Sequence, residues 1–183
     1  MNFSKTIIWE ALAWKGREQC RIEFIDNHYH VNSVLKGKIG SQPFDLTYQL
    51  KISPIWQVVS VQIDSLSDNR RLVEFHKDAK GIWSDSQSHP LNEFSQCIDI
   101  DISLSPFTNT LPIRRLTFEP NQKQAISVIY IDLPTGSLKP LKQWYTKLEN
   151  RRYKYEDENG YMYILTVDEN DFVIDYPTVF SRR

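Results

Sequence analysis

Short runs of alternating apolar and polar residues, each ended by a turn-forming pair, recur from one end of this chain to the other. Successive side chains of a strand point to opposite faces, so a period of two marks strands with one buried face. Long helical periodicity is nearly absent. With six glycines against nine tyrosines, nine phenylalanines and five tryptophans, the composition suits strands rather than flexible linkers.

Taken in order, the pattern predicts strands over residues 5–12, 18–25, 29–39, 44–52, 55–63, 71–77 and 82–84. Ile7 and Trp9 share one face of the first strand. Cys20, Ile22 and Phe24 share one face of the second, and Val73 and Phe75 one face of the sixth. Asp26-Asn27 is a turn pair that tolerates left-handed backbone. The polar stretch 86–95 has room for a short helical turn near Pro90. Further strands are expected over 125–133, 152–156, 161–167 and 172–175, with Asn159-Gly160 as the clearest hairpin tip. The segment 138–148 is mixed and is the other place for a helical turn. The fold class that follows is all-β. It is a single domain over residues 1–183, an antiparallel meander with at most short helical turns. About a dozen strands do not stay flat, so the sheet is expected to curl into a β-roll or incomplete barrel.

The stretch from Cys97 to Leu116 is the most unusual. Ile98, Ile100, Ile102 and Leu104 fall on one face, and Cys97, Asp99, Asp101, Ser103 and Ser105 on the other. Pro106, with no N–H to donate, ends that strand. Thr108, Asn109 and Thr110 lie in a rigid connector, and Ile113-Arg114-Arg115-Leu116 reads as the start of a new extended run. An acidic strand face beside a pair of arginines points to binding.

The stretch Cys-x-Asp-x-Asp-x-x-x-x-Pro-Phe-Thr-Asn-Thr-Leu-Pro-Ile-Arg-Arg-Leu resembles the signature of the putative glycolipid-binding family of bacterial proteins. The resemblance extends to Trp9 and to Glu18-Gln19-Cys20-Arg21. It continues through Tyr130-Ile131-Asp132-Leu133-Pro134, Arg151-Arg152-Tyr153-Lys154-Tyr155-Glu156 and Val173-Ile174-Asp175-Tyr176-Pro177, and so covers almost the whole chain. It implies a β-rich fold similar to lipid-carrying lipoprotein chaperones, and non-covalent binding of a glycolipid or lipid. Such a ligand needs apolar walls and a polar mouth. Trp9, Tyr145, Tyr153, Tyr155 and Tyr176 have rings that can stack on sugars. Asp99, Asp101 and Asp175 can accept from hydroxyls, with Thr108 and Asn109 beside them. Arg114, Arg115 and Arg152 can hold an acidic head group. Against this stands the ordinary reading, in which strand aromatics are core and alternating charges form a solvated face.

Two other classes remain open. Asp99 and Asp101 lie two apart on one strand, roughly 6–7 Å between Cα atoms, which approaches the spacing of a hydrolase carboxylate pair. Both point the same way, however, and no nucleophile elbow, phosphate loop or zinc motif accompanies them, so no enzyme is expected. A structural or protein-interaction module, using sheet edges in a monomer or homodimer, is the third class. A formal net charge of −1 with no like-charge block argues against a nucleic-acid partner. No stretch reaches a membrane span. No cofactor or metal is expected, since His28-x-His30 is the sole histidine spacing of note and Cys20 and Cys97 read as core thiols. The first residues lack a secretory pattern, so the expected setting is the cytoplasm.

Overall fold

The computed structural model describes residues 3–183. Seven strands precede the acidic stretch: β1 (Ser4–Ala11), β2 (Lys15–Ile25), β3 (His28–Ile39), β4 (Gln42–Ile52), β5 (Val58–Ser65), β6 (Arg70–Lys77) and β7 (Trp83–Asp85). The acidic stretch supplies β8 (Asp99–Ile102), and a helix α1 (Thr110–Arg115) follows it. The rest are β9 (Lys123–Asp132), β10 (Ser137–Lys147), β11 (Arg152–Asp157), β12 (Met162–Val167), β13 (Val173–Tyr176) and β14 (Phe180–Arg182).

All of these strands form one sheet, in the order β7-β6-β5-β4-β3-β2-β1-β14-β13-β12-β11-β10-β9-β8. Chain neighbours are therefore sheet neighbours, with two exceptions. The first and last strands pair with each other in the middle of the sheet. Strands β7 and β8, consecutive in the chain, form its two opposite edges. The sheet is curled and does not close into a ladder. Side chains bridge the two margins instead. Trp83 Nε1 donates to the Cys97 carbonyl (2.8 Å), and Lys77 Nζ to that of Ile98 (2.8 Å). The all-β curled sheet thus agrees with the sequence reading. No helix among the described residues is long and apolar enough to cross a membrane.

Three local readings are corrected. The run Ile113-Arg114-Arg115 is helical, not extended: a 3-10 turn over Phe107–Asn109 leads directly into α1. Thr110, Leu111, Pro112 and Ile113 are all buried, so the helix has no polar stripe and left no amphipathic signal. Pro112 is tolerated because the first-turn N–H groups have no intrahelical partner. Segment 138–148 holds no helical turn and is instead strand β10. Its Pro140 sits where β10 has β9 on one side but has not yet met β11, a position that needs no second ladder. The ladder also does not end at Asp175, because β14 returns between β13 and β1. Three residues are too few to show an alternation.

The meander has one parallel pair, β8 with β9. Parallel neighbours need a long crossover, and residues 103–122 provide it. Its first part, 104–113, is buried inside the curl. Phe107 and Leu111 join the large core built on Trp9, Ile22, Tyr48 and Trp83. Ile113 joins a second cluster with Val128, Leu141, Tyr145 and Leu165. The Phe107 ring stacks near Phe172, with centroids 6.4 Å apart.

The central β1–β14 seam carries its own clamp. Burial alone would raise the pKa of Asp168, which is 4% exposed. Its carboxylate is nevertheless held down at about 2 by Lys5 of β1 (2.8 Å), Arg182 of β14 (2.6 Å) and the backbone N–H groups of Phe172 and Asn170.

Removing the buried Phe107 ring of the crossover is costly. Phe107→Ala is expected to lower unfolding free energy by about 3–5 kcal/mol, read by urea denaturation; a change under about 1 kcal/mol would mean that the crossover does not hold the two cores together.

Candidate functional site

A chain segment buried inside a sheet brings polar backbone with it, and each group needs a partner. The polar residues of the acidic stretch supply many of them. Ser105 Oγ donates to Glu18 Oε1 (2.9 Å) and accepts from the Phe107 N–H (3.2 Å). Asn109 Nδ2 donates to the Pro106 carbonyl (3.2 Å), while its Oδ1 accepts from the Tyr145 hydroxyl (2.8 Å). Thr110 Oγ1 donates to the Asp171 carbonyl, and Arg114 Nη1 to that of Asn170 (2.7 Å).

The two acids of β8 share a face but not a fate. Asp99 is fully buried, and the Arg115 fork grips both of its oxygens (3.2 and 2.5 Å). Asp101 has no cation among the described residues. Its Oδ1 accepts from Thr108 Oγ1 (3.1 Å) and its Oδ2 from Gln143 Nε2 (2.6 Å). Burial pushes the Asp101 carboxyl up, the two hydrogen bonds act against that, and the Asp157 carboxylate adds to the rise.

Asp101 stands in a cleft of about 880 Å³. Ile102, Trp14, Val179 and Phe180 give it apolar lining, while Tyr130, Tyr155, Tyr161, Tyr163 and Tyr176 give it rings with polar edges. Several of these rings form a continuous aromatic chain. Tyr145 meets Tyr155 edge-on at 5.5 Å, Tyr176 meets Tyr163 at 4.9 Å, and Phe180 meets Trp14 at 4.9 Å. Tyr176 also lies 6.4 Å from Tyr155 and 6.1 Å from Phe180, which links the three pairs. Burial, and then the charge of Asp101, raise the Tyr155 and Tyr176 hydroxyls well above the usual phenol range, so both keep their protons. Asp157 and Asp132 also reach the cleft, with Lys139 as the one cationic side chain of its lining.

Of the residues singled out in the sequence, Asp101, Asn109, Tyr155 and Tyr176 line this cleft. Thr108 and Tyr145 stand behind it, holding Asp101 and Asn109. Asp99 and Arg115 pair with each other. Arg114 lies over the Trp56 ring at 4.3 Å. Tyr153 is core, packed on Phe118. Arg152 is exposed and reaches the Glu149 carbonyl at 3.5 Å. Asp175 sits in β13, facing Thr166 and Ser181 across the ladder. Trp9 is fully buried, with its Nε1 donating to the Val173 carbonyl (2.8 Å). Cys20 and Cys97 are free, buried thiols.

Sequence reasoning missed Tyr130, Tyr163, Asp157 and Gln143 as parts of one site. A signal existed: Tyr130 and Asp132 share one face of β9, and Tyr155 and Asp157 one face of β11, each setting a ring beside a carboxylate. Which strands would bring them together was not encoded locally.

Below the cleft floor lies a second unusual acid. Glu18 is 2% exposed. Its Oε1 accepts from Tyr48 (2.5 Å), Ser33 (2.7 Å) and Ser105, while its Oε2 has no partner among the described residues. Burial raises its pKa to about 7, opposed by those hydroxyl donors. The folded protein therefore holds a proton that the unfolded chain has released between pH 4.5 and about 7, so this group's contribution to stability falls as pH rises through that window. Glu18→Gln keeps the acceptor and removes the titration. The stability difference between variant and parent, from denaturation at each pH, is expected to shift in the variant's favour by on the order of 3 kcal/mol across that window.

Comparison with known proteins adds two findings. Residues 6–182 match the model of a family described as putative glycolipid-binding. The fold is similar to the crystal structure of a DUF1089 family protein from Pseudomonas aeruginosa, with 33% identity, 92% of each chain covered and a TM-score of 0.81. No curated protein matches the chain.

Proposed function

The chain belongs to the putative glycolipid-binding family, and from that premise we propose that it binds an amphipathic lipid or glycolipid non-covalently, in the cleft above Asp101. The observation that carries this reading is the cleft itself. At about 880 Å³ it falls within the size range of small-molecule sites. It joins apolar lining at Trp14 and Phe180 to tyrosine rings and carboxylates within one cavity, the combination an amphiphile needs. Protonated tyrosine hydroxyls can donate to or accept from a hydroxylated head group, and their faces can stack on it.

Binding rather than catalysis is the proposal. Asp99 is saturated by Arg115 and lines no part of the cleft, which leaves Asp101 without the partner a carboxylate-pair mechanism on β8 would need. The free thiols of Cys20 and Cys97 suit a reducing compartment, and a cytoplasmic setting is part of the reading.

Native mass spectrometry of protein purified from its own cells, followed by titration with a lipid panel, tests it. The expected result is a retained or added lipid mass; protein that is empty throughout, with no thermal shift from any panel member, overturns it. Tyr163→Ala should weaken binding about five-fold, as expected for one aromatic contact worth about 1 kcal/mol. Arg114→Ala should leave affinity unchanged and lower stability by about 1–3 kcal/mol, because it strands the Asn170 carbonyl and uncovers Trp56.

A further inference from the structure

Most of the deeply buried carboxylates outside the cleft have a cation. Asp99 has Arg115, and Asp168 has Lys5 and Arg182. Glu18 lacks one, but it sits in the closed core and accepts from three hydroxyls. The cleft acids differ from both kinds. Asp101 is met by the neutral donors Thr108 and Gln143, and Asp157 by the amides of Asn159 and Tyr161. Among the described residues no ion pair reaches Asp101, Asp132 or Asp157. Lys139, the one ammonium of the lining, lies 5.2 Å over the Tyr130 ring. The arginines that could have drawn an anion here are committed elsewhere: Arg114 to Asn170 and Trp56, Arg115 to Asp99.

From this pattern we infer that the head group accepted by the cleft is positively charged: a protonated or quaternary amine carried on an apolar chain. This rests on the amphiphile reading of the same cleft. Three carboxylates facing a cavity with one lysine repel an anion and are relieved by a cation. Tyrosine faces attract cations through the ring quadrupole, and a cage of such rings beside carboxylates is the arrangement that takes up alkylated ammonium groups. Lys139 over Tyr130 shows a ring of this cleft already in that role. The whole chain carries a formal charge of only −1, so the acidic bias is local to the site rather than inherited from the composition.

The test compares three amphiphiles with one decyl chain: decyltrimethylammonium, decyl glucoside and decyl phosphate, each titrated calorimetrically below its micelle concentration. The ammonium compound is expected to bind at least about ten-fold tighter than the glucoside, and the phosphate most weakly. Asp101→Asn should weaken the ammonium compound at least about five-fold more than the glucoside, removing most of the preference. Should that variant not fold, Ser137→Lys, at an exposed position of the lining, should weaken the ammonium compound selectively. Glucoside or phosphate binding as tightly as the ammonium overturns the inference and leaves the amphiphile reading standing. No binding by any of the three overturns both.

Discussion

The structure depends on a polar stretch of chain held inside the curl of its own sheet. Residues 103–122 leave β8 at one edge, pass through the interior as a 3-10 turn and a helix, and return as β9 beside the strand they left. A buried segment is stable only when its polar groups are paired, since each one left unpaired costs about 1–3 kcal/mol. The residues that give this stretch its unusual sequence meet that demand. Ser105 ties to Glu18, Thr108 to Asp101, Asn109 to Tyr145, Arg114 to Asn170 and Arg115 to Asp99. Much of what looks like a binding motif is therefore the hydrogen-bonding of an internal crossover.

That requirement also explains where the open space is. The crossover places Phe107 and Leu111 against the core of the first seven strands, so that half of the curl is filled by rings and aliphatic chains. On the other half, Ile113 joins the smaller cluster with Val128, Leu141, Tyr145 and Leu165. Beside that cluster the cleft opens over Tyr130, Tyr155 and Tyr176. Asp101 sits at the boundary, held from behind by the crossover and presented in front to the cavity.

The pairing of first and last strands completes the arrangement. The turn after β1 brings Trp14, and the turn before β14 brings Val179, to the apolar part of the cleft. Asp168, with its two cations from β1 and β14, locks that seam. The site is thus assembled from both ends of the chain and its middle, and none of the three parts forms it alone.

Local alternation determined much of what is built. It identified most of the strands and which faces they bury: Ile7 and Trp9, Cys20 and Ile22, Val73 and Phe75 are all buried as their spacing requires. It also marked the tips, including Asp26-Asn27 with positive φ at both residues. Alternation is a short-range signal, however, and states which way a side chain points, not what stands opposite it. Asp99 and Asp101 share one face of one strand, yet Arg115 closes over the first while a cavity opens before the second. The helix α1 was hidden for a related reason: its first four residues are all buried and its six are too few to show a stripe, so its shape is imposed by packing against two cores. The parallel β8–β9 pair, the three-residue β14 and the gathering of five tyrosines around one cleft arise from partners far apart in the chain, and those only the tertiary structure could select.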